Sequence, residues 1–375
     1  MADLDLSEYL KKISQTRVNR RGFLYASGLT AASAAFLAAC GGGNQLEEEL
    51  LTYNWSEYVS PDNIKEFERR TGVSYSEDTY ASNEELIAKL AAAGGNPGYD
   101  ICCPTGEYVP GMVQSGFLEK LDISRIPNFK HINAAYKNTA WDPNNEYLVS
   151  KDLGTTGIMY RGKLIPEGVH SWKEFYELTK GKLSGKVVFV DSMGDVFPFP
   201  LKMMGHSINS NDPAHLKEAG DILQELAPHL LALDSDNYDD KLASEEAAMV
   251  LGWSGPLVDL KLNPDTADSV YTEADEGGLY WMDVWVMLKD APNPNAAYEW
   301  LNFIHEPAIQ ARETESNGYA TANDEAKKLL PEEVRNNPAI FPREDVVAKL
   351  EPGVDHSGVQ QRQDIWAEFK ASIGS

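Results

Sequence analysis

Between residues 50 and 103 the sequence alternates short β-prone runs with amphipathic stretches at helical spacing, and this alternation narrows the fold more than any other feature. Residues 50–53 read as a strand that runs into the polar, aromatic segment Asn54-Trp55-Ser56-Glu57-Tyr58. Pro61 opens a helix with Ile64 and Phe67 on one face, closing at Gly72. A second strand covers 73–77. Ser82-Asn83-Glu84-Glu85 is a capping box for a helix bearing Leu86, Ile87 and Leu90, and 99–103 is a third strand. Parallel neighbours need a crossover, and a helix supplies it, so strand–helix–strand–helix–strand predicts a parallel sheet covered by helices. A second such set follows. It has a strand at 155–160, a helix capped by Ser171, a strand at 186–191, helices over about 211–227 and 239–247, and a buried strand at 248–253. Late helices follow Pro294 and Pro307, and another lies near 359–371. The sequence shows no internal repeat. In open α/β sheets ligands bind at the carboxyl ends of strands, where this chain gathers its aromatic and acidic residues.

The first 39 residues are set apart from this pattern. Arg20-Arg21-Gly22-Phe23-Leu24 is a twin-arginine motif, an alanine-rich run follows, and Leu37-Ala38-Ala39-Cys40 has the form of a lipobox. The expectation is an exported bacterial lipoprotein with signal peptide 1–39. Lipidation is expected on Cys40, a glycine-rich tether spans 40–49, and the protein would sit on the outer face of the cytoplasmic membrane or in the periplasm. The whole chain carries 33 basic and 58 acidic residues, and the leader holds five and three of these, so the mature part has 28 against 55, a net charge of −27. Such a field disfavours nucleic acid and draws small cations.

Enzyme templates are absent from the sequence. There is no Gly-x-Ser-x-Gly elbow and no zinc-protease histidine pair, and the phosphate-loop-like Gly181–Lys186 stretch is one residue short. The seven histidines are scattered, and the adjacent Cys102 and Cys103 suggest buried thiols rather than a disulfide or a metal site. No catalytic residue, metal or cofactor is expected. On the β-prone run from Gly278 to Met287, Trp281 and Asp283 share a face, so an indole stands beside a carboxylate and offers a cation both a π face and a counter-charge.

These segments resemble a known family. Tyr53-Asn54-Trp55-Ser56-Glu57-Tyr58-Val59 and Gly278-Leu279-Tyr280-Trp281-Met282-Asp283 are similar to two signature blocks of the spermidine/putrescine-binding proteins of bacterial polyamine importers. Asn145-Glu146-Tyr147, Gly252-Trp253-Ser254-Gly255 and Gly318 to Asn323 follow in the family's order. The resemblance implies a two-lobed periplasmic binding protein (type II-like) with several hinge crossings. Lobe one would be 46–153 plus 283–325, and lobe two 154–282 plus 326–375. It also implies a monomeric receptor that closes on a polyamine and serves an ABC permease and ATPase. Its ligand residues would be Trp55, Ser56, Glu57, Tyr58, Thr105, Asp195, Trp253, Trp281, Asp283 and Tyr319. Two positions depart from the family pattern. Ser192 stands where an acid is common, and Glu107 where an aromatic is common, so either one charge has moved across the cleft or Glu107 points to solvent and the site has one carboxylate fewer. Lys151 would be unwelcome near a cation unless Asp152 neutralises it, and Glu351 is a candidate C-terminal contact. A receptor for another cationic or amino solute, and a lipoprotein that presents ligand to a sensor, are the alternatives.

Overall fold

Two long antiparallel strands form the middle of a mixed sheet in the computed structural model, which describes residues 46–373. The twin-arginine motif, Cys40 and the first part of the tether lie outside the described residues. In chain order the strands are β1 (Glu49–Trp55), β2 (Ser74–Tyr80), β3 (Ile101–Cys102), β4 (Leu148–Arg161), β5 (Val187–Phe189) and β6 (Ala232–Leu233). They continue with β7 (Met249–Trp253), β8 (Ser269–Thr272), β9 (Leu279–Met287), β10 (Ala320–Thr321) and β11 (Glu351–Pro352). The main order is β2-β1-β3-β9-β4-β7-β5-β6.

At one end β2, β1 and β3 are parallel and meet the antiparallel β9. At the other, β6, β5 and β7 are parallel and meet the antiparallel β4. Each triplet places its earliest strand in the centre. The topology therefore repeats although the sequence does not.

Local chemistry sets the elements around this sheet. Pro61 starts the helix Pro61–Thr71 and Gly72 ends it in the left-handed conformation, as the residue types require. Ser82 accepts a hydrogen bond from the Glu85 amide at 3.2 Å, and the Glu85 carboxylate returns one from Ala81 rather than from Ser82. Such a cap contributes about 1 kcal/mol. Apolar faces collect into a large core holding Phe175, Phe189, Leu223 and Phe369, and two others around Trp285–Trp300 and Tyr53–Val286. Cys102 and Cys103 are buried free thiols within or beside β3.

Several boundaries differ from expectation. The strand expected at 155–160 begins seven residues earlier, and every residue of β4 is buried. Its polar Ser150-Lys151-Asp152 segment hid it, and the β4–β9 register slips between Ser150 and Asp152, a β-bulge with Lys151 as the extra residue. The third strand is only two residues long, β2 runs on to Tyr80, and the helix expected over 239–247 is Tyr238–Ala243.

Candidate ligand-binding site

Past Trp55 the chain turns through Ser56 and Glu57, both exposed, before Tyr58 returns to the interior. Glu57 takes φ +55°, a left-handed conformation that L side chains seldom adopt and that is concentrated at functional turns. This turn, the turn Gly106–Tyr108 after β3, the segment after β5 and the end of β7 all face one cavity of about 160 Å³. All twelve expected residues line it. Trp55, Ser56, Glu57 and Tyr58 come from the end of β1, and Thr105 and Glu107 from beyond β3. Ser192 and Asp195 follow β5, Trp253 ends β7, Trp281 and Asp283 share one face of β9, and Tyr319 precedes β10.

Aromatic rings build the walls edge to face. Trp55 and Trp253, from opposite ends of the sheet, meet at 5.7 Å between ring centroids, while Trp281 and Tyr319 meet at 5.1 Å and Tyr58 and Tyr319 at 5.5 Å. Trp281 lies over Gly154, its partner on β4, so closely that a Cβ there would come within 2.2 Å of the indole. Only glycine allows that ring to lie flat against the strand.

Among the described residues, seven carboxylates line this cavity and no lysine, arginine or histidine does. They are held differently. Asp195 accepts from Ser192 at 2.6 Å, from the Trp253 indole at 3.0 Å and from Thr156, yet burial still lifts its carboxyl above the usual range. Ser192, which stands where an acid was expected, thus works as a donor to the neighbouring acid. Asp283 accepts from the Tyr58 hydroxyl at 2.9 Å through Oδ2, but its Oδ1 has no hydrogen-bond partner among the described residues. Burial pushes it up to about 7, against the opposing hydroxyls of Thr105 and Tyr58. Glu107 is pushed up to about 8 by burial, aided by Asp195 and Asp283, and its Oε2 likewise has no partner.

Sequence reasoning missed part of the wall. Tyr80, Tyr108 and Tyr238 add phenol edges, Asn83 and Asn317 add amides, and Asp236, Asp239 and Asp259 add charge near the mouth. The acidic run at 234–240 was the available signal. The strand before it, β6, is only two residues long and shows no period, so the run does not stand out as a strand end. Glu351 is no part of the cavity; it pairs with Lys202 at 2.5 Å and accepts from Ser207.

Lys151 also lies off the cavity, directly behind it. Its ammonium is 3.5 Å from the Tyr58 ring centroid, 2.5 Å from Asp152 Oδ2, 2.9 Å from the Tyr58 carbonyl and 3.8 Å from Glu313 Oε2. Burial works against its charge, but Asp152 and Glu313 more than offset that and hold its pKa above the ordinary lysine value. The expected neutralisation by Asp152 is present, reinforced by a second acid.

Comparison with known proteins gives this arrangement a context. Residues 63–342 match the family model described as bacterial extracellular solute-binding protein. The chain is 31% identical over 320 residues to the spermidine/putrescine-binding periplasmic protein of Escherichia coli, covering 85% of this chain and 90% of that protein. It is 32% identical over 339 residues to a putrescine/agmatine-binding protein of Pseudomonas aeruginosa, covering 87% and 90%. The solved spermidine/putrescine ABC transporter substrate-binding protein of Streptococcus pneumoniae superposes with a TM-score of 0.71 at 28% identity, covering 87% of this chain and 99% of that one.

Proposed function

The chain belongs to the bacterial extracellular solute-binding proteins, among those similar to spermidine/putrescine-binding members, and from that premise we propose that it captures a polyamine, spermidine or putrescine, for an ABC importer. One observation carries the reading: an aromatic-walled cavity is lined by seven carboxylates, with Glu107, Asp195 and Asp283 deep inside, and by no basic side chain among the described residues. A polyamine is a chain of methylenes between ammonium groups. Rings take the methylenes, and a desolvated ring–ammonium contact contributes about 2 kcal/mol. Each buried carboxylate without a counter-charge costs several kcal/mol until a cation joins it. The surplus negative charge of the mature chain would steer such a ligand in.

Capture proceeds by closure. Lobe boundaries at 153/154 and 282/283 fall within β4 and β9, the two strands that join the ends of the sheet. Wall residues come from both ends: Trp55 and Glu107 from one, Asp195 and Trp253 from the other. A ligand touching both binds the closed arrangement better and shifts the population towards it. Export by the twin-arginine route and a lipid on Cys40 would keep this monomeric receptor beside its permease, so Cys40→Ala should release it from the membrane fraction.

Leu46 to Ser375 forms one compact unit, so binding can be measured on that part. Calorimetric titration with spermidine and putrescine should give saturable heat, and a neutral diol of matching length should give none. Absence of heat with every amine would overturn the reading.

A further inference from the structure

Glu107 occupies a place where burial and neighbouring acids work against its charge and its own backbone amide offsets them only in part. It lies in the turn Gly106–Tyr108, 8% exposed, and the segment after β11 roofs it. A Cβ on Gly353 would stand 2.5 Å from Glu107 Oε1, so only a glycine lets that backbone approach the carboxyl so closely. Oε2 of Glu107 and Oδ1 of Asp283 are both buried, both on residues lining the same cavity, and both without a hydrogen bond among the described residues.

The groups that act on the pair come from every neighbouring element. Asp195 after β5, Asp283 on β9 and Asp355 beyond β11 act on Glu107, whose own charge in turn reaches the adjacent Tyr108. Tyr58, Thr105, Lys151 and Asp152 act on Asp283, whose charge in turn reaches Tyr319. The one cation in that set, Lys151, is committed to Asp152 and Glu313 behind Tyr58.

We infer that Glu107 and Asp283 form a single subsite for one ammonium group, and that the unliganded pair holds a proton which the arriving amine displaces. The inference rests on the amine-capture reading and names a regulation of that site. The balance is simple: the carboxylic acid gives its proton to solvent, and the resulting carboxylate pairs with an ammonium that keeps all of its own. Two buried like charges raise each other's cost of ionisation unless a cation joins them. Burial, with Asp195 and Asp283, puts Glu107 at about 8, and burial puts Asp283 at about 7, so the proton is present near neutrality. Affinity then rises with pH, by up to about tenfold per unit while one proton is released, and levels off above the Glu107 value.

Titration of the 46–375 unit with putrescine and with spermidine, at pH 7.5 in two buffers of different ionisation heat, reads that proton directly. The expected result is a heat that differs between buffers by on the order of one released proton per amine. Glu107→Gln should lose most of that release and most of the rise in affinity between pH 7.5 and 8.5. A buffer-independent heat in the unaltered protein would overturn the inference while leaving amine capture intact, as would full proton release persisting in Glu107→Gln. No heat with either amine would overturn both.

Discussion

Tyr58 has an ammonium group at its back and none at its front. Behind it, Lys151 stands 3.5 Å from the ring, with Asp152 and Glu313 supplying the counter-charges. In front, Asp283, Glu107 and the other cavity acids stand beside Trp281, Trp253 and Tyr319, with no basic residue in that lining among the described residues. The ingredients match: a π face and buried carboxylates. What differs is where the cation comes from. At the back it is covalently part of β4, delivered by a bulge, so that side is complete once the chain folds. At the front it has been left out. The rear cluster is therefore a structural element, and the front is the same chemistry held open for a ligand.

Removing the rear cation should have the largest effect. Lys151→Met leaves Asp152 and Glu313 with their amide donors Asn317, Ser60 and Asn63 but without the Lys151 counter-charge, and breaking a buried pair from one side costs about 3–5 kcal/mol. Denaturant unfolding of the unliganded protein measures it. A loss below about 1 kcal/mol would break the comparison, because the rear would then not depend on its cation. The matching change at the front acts on the ligand instead. Asp283→Asn should weaken spermidine binding by about a hundredfold or more, since a buried charge pair is worth several kcal/mol. Unfolding of the unliganded protein should barely change, because Oδ1 has no partner to lose among the described residues and the Asn oxygen can still accept from Tyr58. If Asp283→Asn destabilised the fold as severely as Lys151→Met, front and rear would be one structural network.

The front was more legible in the sequence than the rear. Strand ends carrying Trp55, Trp253 or the Trp281–Asp283 pair stand out locally, and their order and spacing resemble a known family, so the twelve wall residues could be named in advance. Lys151 was visible only as an oddity. Its partner Asp152 is adjacent in the chain, but Glu313 comes from the distant helix Pro307–Asn317, a tertiary contact that no local pattern encodes. The bulge that turns Lys151 inward also broke the alternation by which β4 would have been recognised as a strand of 14 residues. Asp236 and Asp239 were lost for a related reason, as they follow a strand too short to show a period.

Tyr58→Phe divides the two sides at the ring they share. The ring stays for Lys151, and only the 2.9 Å hydrogen bond to Asp283 is removed. Affinity for spermidine should fall about fivefold, the net value of one such bond, and the unfolding free energy should change by about 1 kcal/mol or less. A loss of stability approaching that of Lys151→Met would mean that the hydroxyl, and not the ring, couples the two clusters.

The smallest effect separates them by pH. A carboxyl whose folded pKa is raised contributes stability that is full below its unfolded value and is lost as pH rises through the folded one. Glu107, at about 8, therefore makes the unliganded protein less stable as pH rises, at up to about 1.4 kcal/mol per unit where its proton is still held. Below pH 7 the slope is shared, because burial also raises Asp283 and, at the rear, Glu313 to about 7. Between pH 7 and 8.5 it belongs mainly to Glu107. Lys151 has the same sign but a later window: with its folded pKa raised, its contribution persists through this range and fades only in stronger alkali. Unfolding free energies across pH 7 to 8.5 should thus fall by about 1 kcal/mol, stay nearly flat in Glu107→Gln, and flatten again in saturating spermidine, where the amine has already taken the place of the proton. An equal slope in Glu107→Gln would move the titrating group elsewhere and leave the front without its distinguishing proton.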